Sequence, residues 1–209
     1  MSILIIDYGM CNLGSVRRSF EECGASVLVS NCPEDVNNAT AIVLPGVGAF
    51  SDAMENLDRM GWTPAIRNAV AKGIPLLGIC LGMQLLAERG FEGGACEGLG
   101  LIKGEIIRLN PTDPTERVPH IGWNEVHFTP NAPMFRGIED GTDFYFVHSY
   151  HFSVSHKEHD CSTTPYAGGF TSSVRSGVIC GVQFHPEKSG RPGFQLIRNF
   201  LDISVGALC

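Results

Sequence analysis

The sequence predicts an α/β fold: a single open, doubly wound domain spanning residues 1–209, built on a mainly parallel central sheet. Three observations lead there. Short apolar runs alternate with helix-patterned stretches through the first half. One of those runs ends in Gly78-Ile79-Cys80-Leu81-Gly82 and passes at once into a helix-forming stretch. The 209 residues are 44% hydrophobic and 18% charged, which is enough to bury one sizeable core.

Residues 2–7 read as a buried strand ending in a polar loop. Residues 12–23 read as a helix, with Val16, Phe20 and Cys23 on one face and Gly24 as its stop. Strands follow at 26–29 and 40–44, the second closed by Pro45-Gly46-Val47-Gly48. Helical patterns occupy 51–60 and 64–72. The strand ending at Cys80 and the helix after it complete an alternation that implies a parallel sheet covered on both faces. In the second half, residues 103–109, 124–128, 143–152 and 166–175 read as strands. Residues 178–184 form a last apolar strand, and 191–203 a closing helix with Phe194, Ile197 and Leu201 at helical spacing. Segment 154–169 is rich in Ser, Thr, His and Gly and is expected to be a long, mobile loop or hairpin.

Charge and composition exclude several classes. The net charge of -7 without a basic run argues against a nucleic-acid surface. No apolar stretch reaches the ~18 residues a membrane span needs. The first residues lack a secretion signal, so a cytoplasmic location is expected. Eight cysteines without a Cys-x-x-Cys pair suggest thiols rather than a disulfide framework or a zinc site.

The chemistry gathers at two places. Gly-x-Cys-x-Gly between a strand and a helix is the cysteine form of a nucleophile elbow, with Cys80 at the tip. At a helix N-terminus the macrodipole and free backbone N–H groups favour a thiolate, and the same N–H groups can receive an oxyanion. The second place is His185-Pro186-Glu187, after the last strand, where α/β sheets collect ligands and catalytic groups. His185 is suited to act as base for Cys80, and Glu187 to orient the imidazole. A lone cysteine is usually core filler and a lone histidine usually structural. The paired motifs set these two apart. His148, His151, His156, His159 and Cys161 cluster in sequence without the spacing of a metal site, and none is expected.

Gly78-Ile79-Cys80-Leu81-Gly82-Met83-Gln84 with Gln183-Phe184-His185-Pro186-Glu187 resembles the class I (triad) glutamine amidotransferases. Asp7-Tyr8-Gly9-Met10-Cys11-Asn12, Pro45 to Phe50, His120-Ile121-Gly122-Trp123-Asn124, Phe146 to Tyr150 and Lys188-Ser189 narrow the resemblance to the glutaminase subunits of imidazole glycerol phosphate synthases. The resemblance runs the length of the chain. It implies hydrolysis of L-glutamine by Cys80, His185 and Glu187, with no metal or organic cofactor. The ammonia would pass to a (β/α)8-barrel cyclase subunit in a heterodimer, which makes imidazole glycerol phosphate and AICAR from PRFAR in histidine biosynthesis. It further implies an oxyanion hole at Val47, Gly48 and Leu81. Substrate contacts would fall at Gly46, Gln84, Ser149 and Tyr150, and a partner surface at Asn12, Trp123 and Lys188. Two departures stand out. The family usually has Gly where this chain has Cys11, so a loop needing positive φ there would be strained. Segment 154–169 is also longer than usual. Two other readings stay open at this point: a glutaminase serving pyridoxal phosphate or purine synthesis, and a degenerate amidotransferase fold that only docks and regulates.

Overall fold

The computed structural model describes residues 2–154 and 160–206, without the side chains of residues 160 and 161. The chain runs through β1 (Ser2–Ile6), α1 (Leu13–Glu22), β2 (Ser26–Ser30), β3 (Ala41–Gly46), α2 (Phe50–Arg59), α3 (Trp62–Ala71), β4 (Leu76–Cys80) and α4 (Leu81–Gln84). Two short strands, β5 (Arg89–Gly90) and β6 (Cys96–Glu97), precede β7 (Gly104–Arg108), β8 (His120–Val126) and β9 (Thr142–His148). Then come β10 (Tyr150–Val154), β11 (Asp160–Thr164), β12 (Phe170–Ser176), β13 (Ile179–Val182) and α5 (Gly190–Gly206).

Alternation along β1 sets the layers. Ile3 and Ile5 pack with Val16 and Phe20 of α1 and Leu196, Ile197 and Phe200 of α5. Leu4 and Ile6 pack on the opposite face with Phe50 and Leu57 of α2 and Trp62 and Ile66 of α3. A strand buried on both faces needs a helical layer on each, which is the doubly wound arrangement. The sheet order is β2-β1-β3-β4-β13, all parallel, continued by β12, β10, β7, β5 and β6, with β11 pairing β12. The last strand in sequence, β13, therefore lies between β4 and β12, at the middle of the sheet. β8 and β9 form a separate antiparallel ribbon.

Where elements depart from expectation, long-range pairing is the cause. The run 143–152 divides at Ser149: β9 pairs β8 in the ribbon, whereas β10 pairs β7 and β12 in the main sheet. Ribbon pairing carries β8 back to His120, ahead of the expected 124, and ends it at Val126, short of 128. Residues 166–169 form a turn, with Ala167, Gly168 and Gly169 at positive φ, so β12 starts at Phe170. Within segment 154–169, β11 forms the hairpin partner of β12, and residues 155–159 lie outside the described residues. The helix after Cys80 is a single turn. The carbonyls of Leu85, Leu86 and Ala87 accept N–H groups of Leu99, Leu101, Ile102 and Gly100, so they are not available to continue it.

Candidate active site

β3 and β4 pair in parallel with Gly46 opposite Cys80, so the turns leaving them stand side by side. Cys80 has φ 54 and ψ -113, a conformation that costs a non-glycine residue about 1–3 kcal/mol. Close backbone packing holds it there. A Cβ on Gly82 would lie 1.7 Å from the Leu44 carbonyl oxygen, and one on Gly78 would lie 2.5 Å from the Gly82 carbonyl oxygen. Because α4 is one turn long, a macrodipole adds little. What it offers is local: Leu81 is its first residue, so its N–H has no partner within the helix.

His185 follows β13 and is fixed through its backbone. Its N–H donates to the Tyr145 carbonyl at 2.8 Å, and its carbonyl accepts from Ser189 Oγ at 2.6 Å. The imidazole donates from Nδ1 to Glu187 Oε1 at 2.8 Å, with the two side chains 6% and 2% exposed. The imidazole also interacts with the Cys80 side chain. Burial alone would push this imidazole down. The hydrogen bonds and charges of Cys80 and Glu187 outweigh it and hold the imidazole up at about 10. Cys80 Sγ also lies 3.7 Å from the Val147 carbonyl oxygen and 3.8 Å from Gln183 Nε2.

The neighbouring turn is built differently. Gly48 has φ +104, and a Cβ there would meet only the tip of Met10. The Val47 N–H donates to the Met10 carbonyl at 2.9 Å, and its side chain is 44% exposed. Gly46, expected at the substrate, is buried beneath the turn and does not line the cleft. A Cβ there would meet Tyr8 Oη at 2.3 Å and Leu81 Cβ at 3.0 Å.

A cleft of about 260 Å³ brings together Val47, Gly48, Cys80, Leu81, Gln84, Ser149, Tyr150, His185 and Lys188. Glu187 stands behind His185, outside the lining. The cleft adds Glu92 and Pro119, which no motif marked, and Val147 and His148 from the Phe146 to Tyr150 motif. Glu92 also accepts the Phe50 N–H at 2.8 Å and so caps α2 from a distant loop, a link that sequence periodicity does not carry. Gln84 Nε2 donates to the Tyr150 carbonyl at 2.9 Å and to Gln183 Oε1 at 3.0 Å.

Trp123 and Lys188 meet over one ring: Trp123 packs edge-on to Tyr145 with centroids 5.9 Å apart, and Lys188 Nζ sits 5.7 Å from the Tyr145 centroid. Ile121 and Trp123 point out of β8 at 61% and 56% exposure. Asn12 is exposed and precedes α1. Cys11 is not strained: Gly9 takes the positive φ of that loop at +88, and Cys11 Sγ reaches the Ile6 carbonyl at 3.7 Å. The histidine cluster separates. His148 bonds His120 and the Tyr150 carbonyl, His151 bonds the Phe152 carbonyl, and residues 156 and 159 and the Cys161 side chain are outside the description. Among the described residues no group of three His, Cys, Asp or Glu side chains is placed to hold a metal.

The class-I glutamine amidotransferase family model matches residues 4–203. The HisH subunit of imidazole glycerol phosphate synthase from Moorella thermoacetica is 48% identical over 198 residues, covering 95% of this chain and 93% of that protein. The corresponding subunit from Geobacillus kaustophilus is 42% identical, covering 97% of each. In fold, the chain is similar to a solved glutamine amidotransferase (TM-score 0.76, 18% identity, 97% of this chain and 98% of that one covered). It is also similar to PurLQS from Thermotoga maritima (TM-score 0.75, 18% identity, 96% and 97% covered).

Proposed function

The chain belongs to the class-I glutamine amidotransferase family and, within it, to the HisH subunits of imidazole glycerol phosphate synthase; from that membership we propose that it hydrolyses L-glutamine at Cys80 and supplies the ammonia to a (β/α)8-barrel cyclase in a heterodimer. That cyclase converts PRFAR to imidazole glycerol phosphate and AICAR in histidine biosynthesis. The observation that carries the reading is the buried Cys80–His185–Glu187 constellation opening onto a cleft lined by Gln84, Ser149 and Tyr150.

His185 takes the proton of the Cys80 thiol. The Cys80 sulfur attacks the side-chain amide carbon of glutamine, and the carbonyl electrons move onto oxygen. The Leu81 N–H receives that oxyanion, joined by an N–H of the Val47–Gly48 turn once the turn reorients. His185 gives its proton to the departing nitrogen, ammonia leaves and a glutamyl thioester remains. The imidazole, now neutral, takes a proton from water. The hydroxide displaces Cys80 and releases glutamate. Both N–H groups of the Gln84 amide already have acceptors, so Gln84 offers the substrate its carbonyl oxygen. With the Glu92 carboxylate it suits the substrate's ammonium. Backbone N–H groups at Ser149 and Tyr150 suit its carboxylate. Asn12, Ile121, Trp123 and Lys188 are the proposed docking face.

The test is Cys80→Ala in the reconstituted pair. Glutamine-dependent synthesis vanishes while synthesis from added ammonium salt survives; surviving glutamine-dependent turnover sinks the assignment. Because the Val47 N–H is bound to Met10, the isolated chain is expected to be a poor glutaminase until partner and nucleotide are present. Full activity alone would contradict this.

A further inference from the structure

Gln183 is fully buried, two residues before His185, and has no part in the chemistry above. Its orientation follows by elimination from one carbonyl. The Tyr150 carbonyl can only accept, so Gln84 must turn its amide nitrogen toward it, at 2.9 Å. The second hydrogen of that nitrogen points at Gln183, 3.0 Å away, so Gln183 must present its oxygen there. Its own nitrogen then faces Cys80 Sγ at 3.8 Å. The same carbonyl fixes the other direction. His148 donates to it from Nδ1 at 2.8 Å, which leaves Nε2 of the neutral ring as an acceptor for His120 Nδ1 at 3.0 Å. His120 Nε2 is left to accept from Asn124 Nδ2 at 3.4 Å. Burial depresses both imidazoles, His148 to about 3 and His120 to about 4, in keeping with two neutral rings. A continuous polar chain thus runs from the β8–β9 ribbon to the nucleophile.

We infer that Gln183 is a catalytic residue that donates an N–H to the Cys80 sulfur and favours its thiolate, and that His120 and His148 are positioning residues that hold this donor through Tyr150 and Gln84. An amide donor adds no charge beside the imidazolium, so it stabilises the anion without competing for the His185 proton. The other titratable groups around the sulfur are His185, with Glu187 behind it and His148 to one side, and the buried Tyr8 phenol. The inference rests on the proposed role of Cys80 as nucleophile but not on which amide it attacks.

The test is iodoacetamide alkylation of the full-length chain, reading the Cys80 peptide by mass spectrometry against exposed Cys32 as internal reference. Gln183→Met keeps the volume and removes the donor. The Cys80-to-Cys32 rate ratio at neutral pH is expected to fall about tenfold, as for loss of a hydrogen bond to a charged group. Gln183→Glu places a carboxylate at the sulfur, lowers the ratio further and moves the rate–pH profile to higher pH. His120→Phe, which breaks the chain far from the sulfur, lowers the ratio by a smaller factor, and His120→Asn, which keeps a short donor, restores part of it. Parental ratios in folded Gln183→Met, judged by an unchanged melting temperature, overturn the catalytic role. A parental ratio in His120→Phe overturns the positioning role. Failure of the glutaminase reading would instead appear as parent chain that alkylates normally yet releases no glutamate when assembled with its partner.

Discussion

The two turns that flank the cleft leave adjacent parallel strands, yet they are held in opposite ways. After β4, backbone meets backbone: Gly78, Gly82 and the Leu44 carbonyl leave no room for a methyl group, and Cys80 is forced to positive φ. After β3, the turn rests on one hydrogen bond, Val47 N–H to Met10, and on a flexible methionine tip. In the proposed roles, the nucleophile side is fixed by packing, whereas the Val47 N–H on the proposed oxyanion side is bound to Met10. A site can keep its reactive group rigid while leaving a neighbouring turn adjustable, because the strain on one side is over-determined by packing and the other side is held by few contacts.

Substitutions at each side sharpen or break this contrast. The largest effect is expected at Glu187→Gln, which leaves the fold intact and lowers glutaminase kcat/KM of the assembled enzyme by about 10²–10⁴. The same variant tests the charge pairing. An unfolded imidazole titrates near 6.5 and the folded His185 at about 10, so its stabilising contribution is whole below about 6.5 and is lost as pH rises through about 10. The stability gap between parent and variant should therefore narrow from neutral toward alkaline pH in denaturant titrations; a gap that widens reverses the assignment. Gly82→Ala follows. Its methyl group collides with backbone rather than a side chain, and the expected loss in urea unfolding is about 3 kcal/mol or more, at the top of the range for overpacking. Gly48→Ala should cost less, about 1–2 kcal/mol, since it meets only a positive φ and a movable Met10 tip. It should also blunt activation by the partner more than it blunts stability. Met10→Ala is the smallest, at or below about 1 kcal/mol for a half-buried side chain. If it costs more than Gly48→Ala, the β3 turn is as firmly packed as the elbow and the contrast fails.

Much of the nucleophile side was legible in the residues. Gly-x-Cys-x-Gly and His-Pro-Glu state their roles locally, and β1, β3 and β4 are apolar runs bounded by turn residues, a pattern that needs no tertiary information. The missed features depend on partners far along the chain. The helix after Cys80 stops after one turn because residues 99–102 occupy the carbonyls of the residues that follow it, Leu85 to Ala87. The strand expected at 143–152 breaks at Ser149 because its halves belong to different sheets. Glu92 enters the cleft from a loop, and Gln183 is recognisable only once Gln84 and Tyr150 are seen beside it. The positive φ expected to strain Cys11 falls two residues earlier, on Gly9, a displacement that a single residue pattern cannot reveal.

The place of β13 at the centre of the sheet has a consequence in time. Gln183 follows Cys80 by 103 residues, which at ordinary translation rates is roughly 5–20 s of synthesis. During that interval the nascent chain carries the cysteine and its glycines but neither the imidazole nor the amide that would activate the sulfur. The strand just before them, β13, must slot between β4 and β12, a non-local pairing. The constellation at Cys80 therefore assembles only once β13 has entered the sheet, in the same event that completes the core.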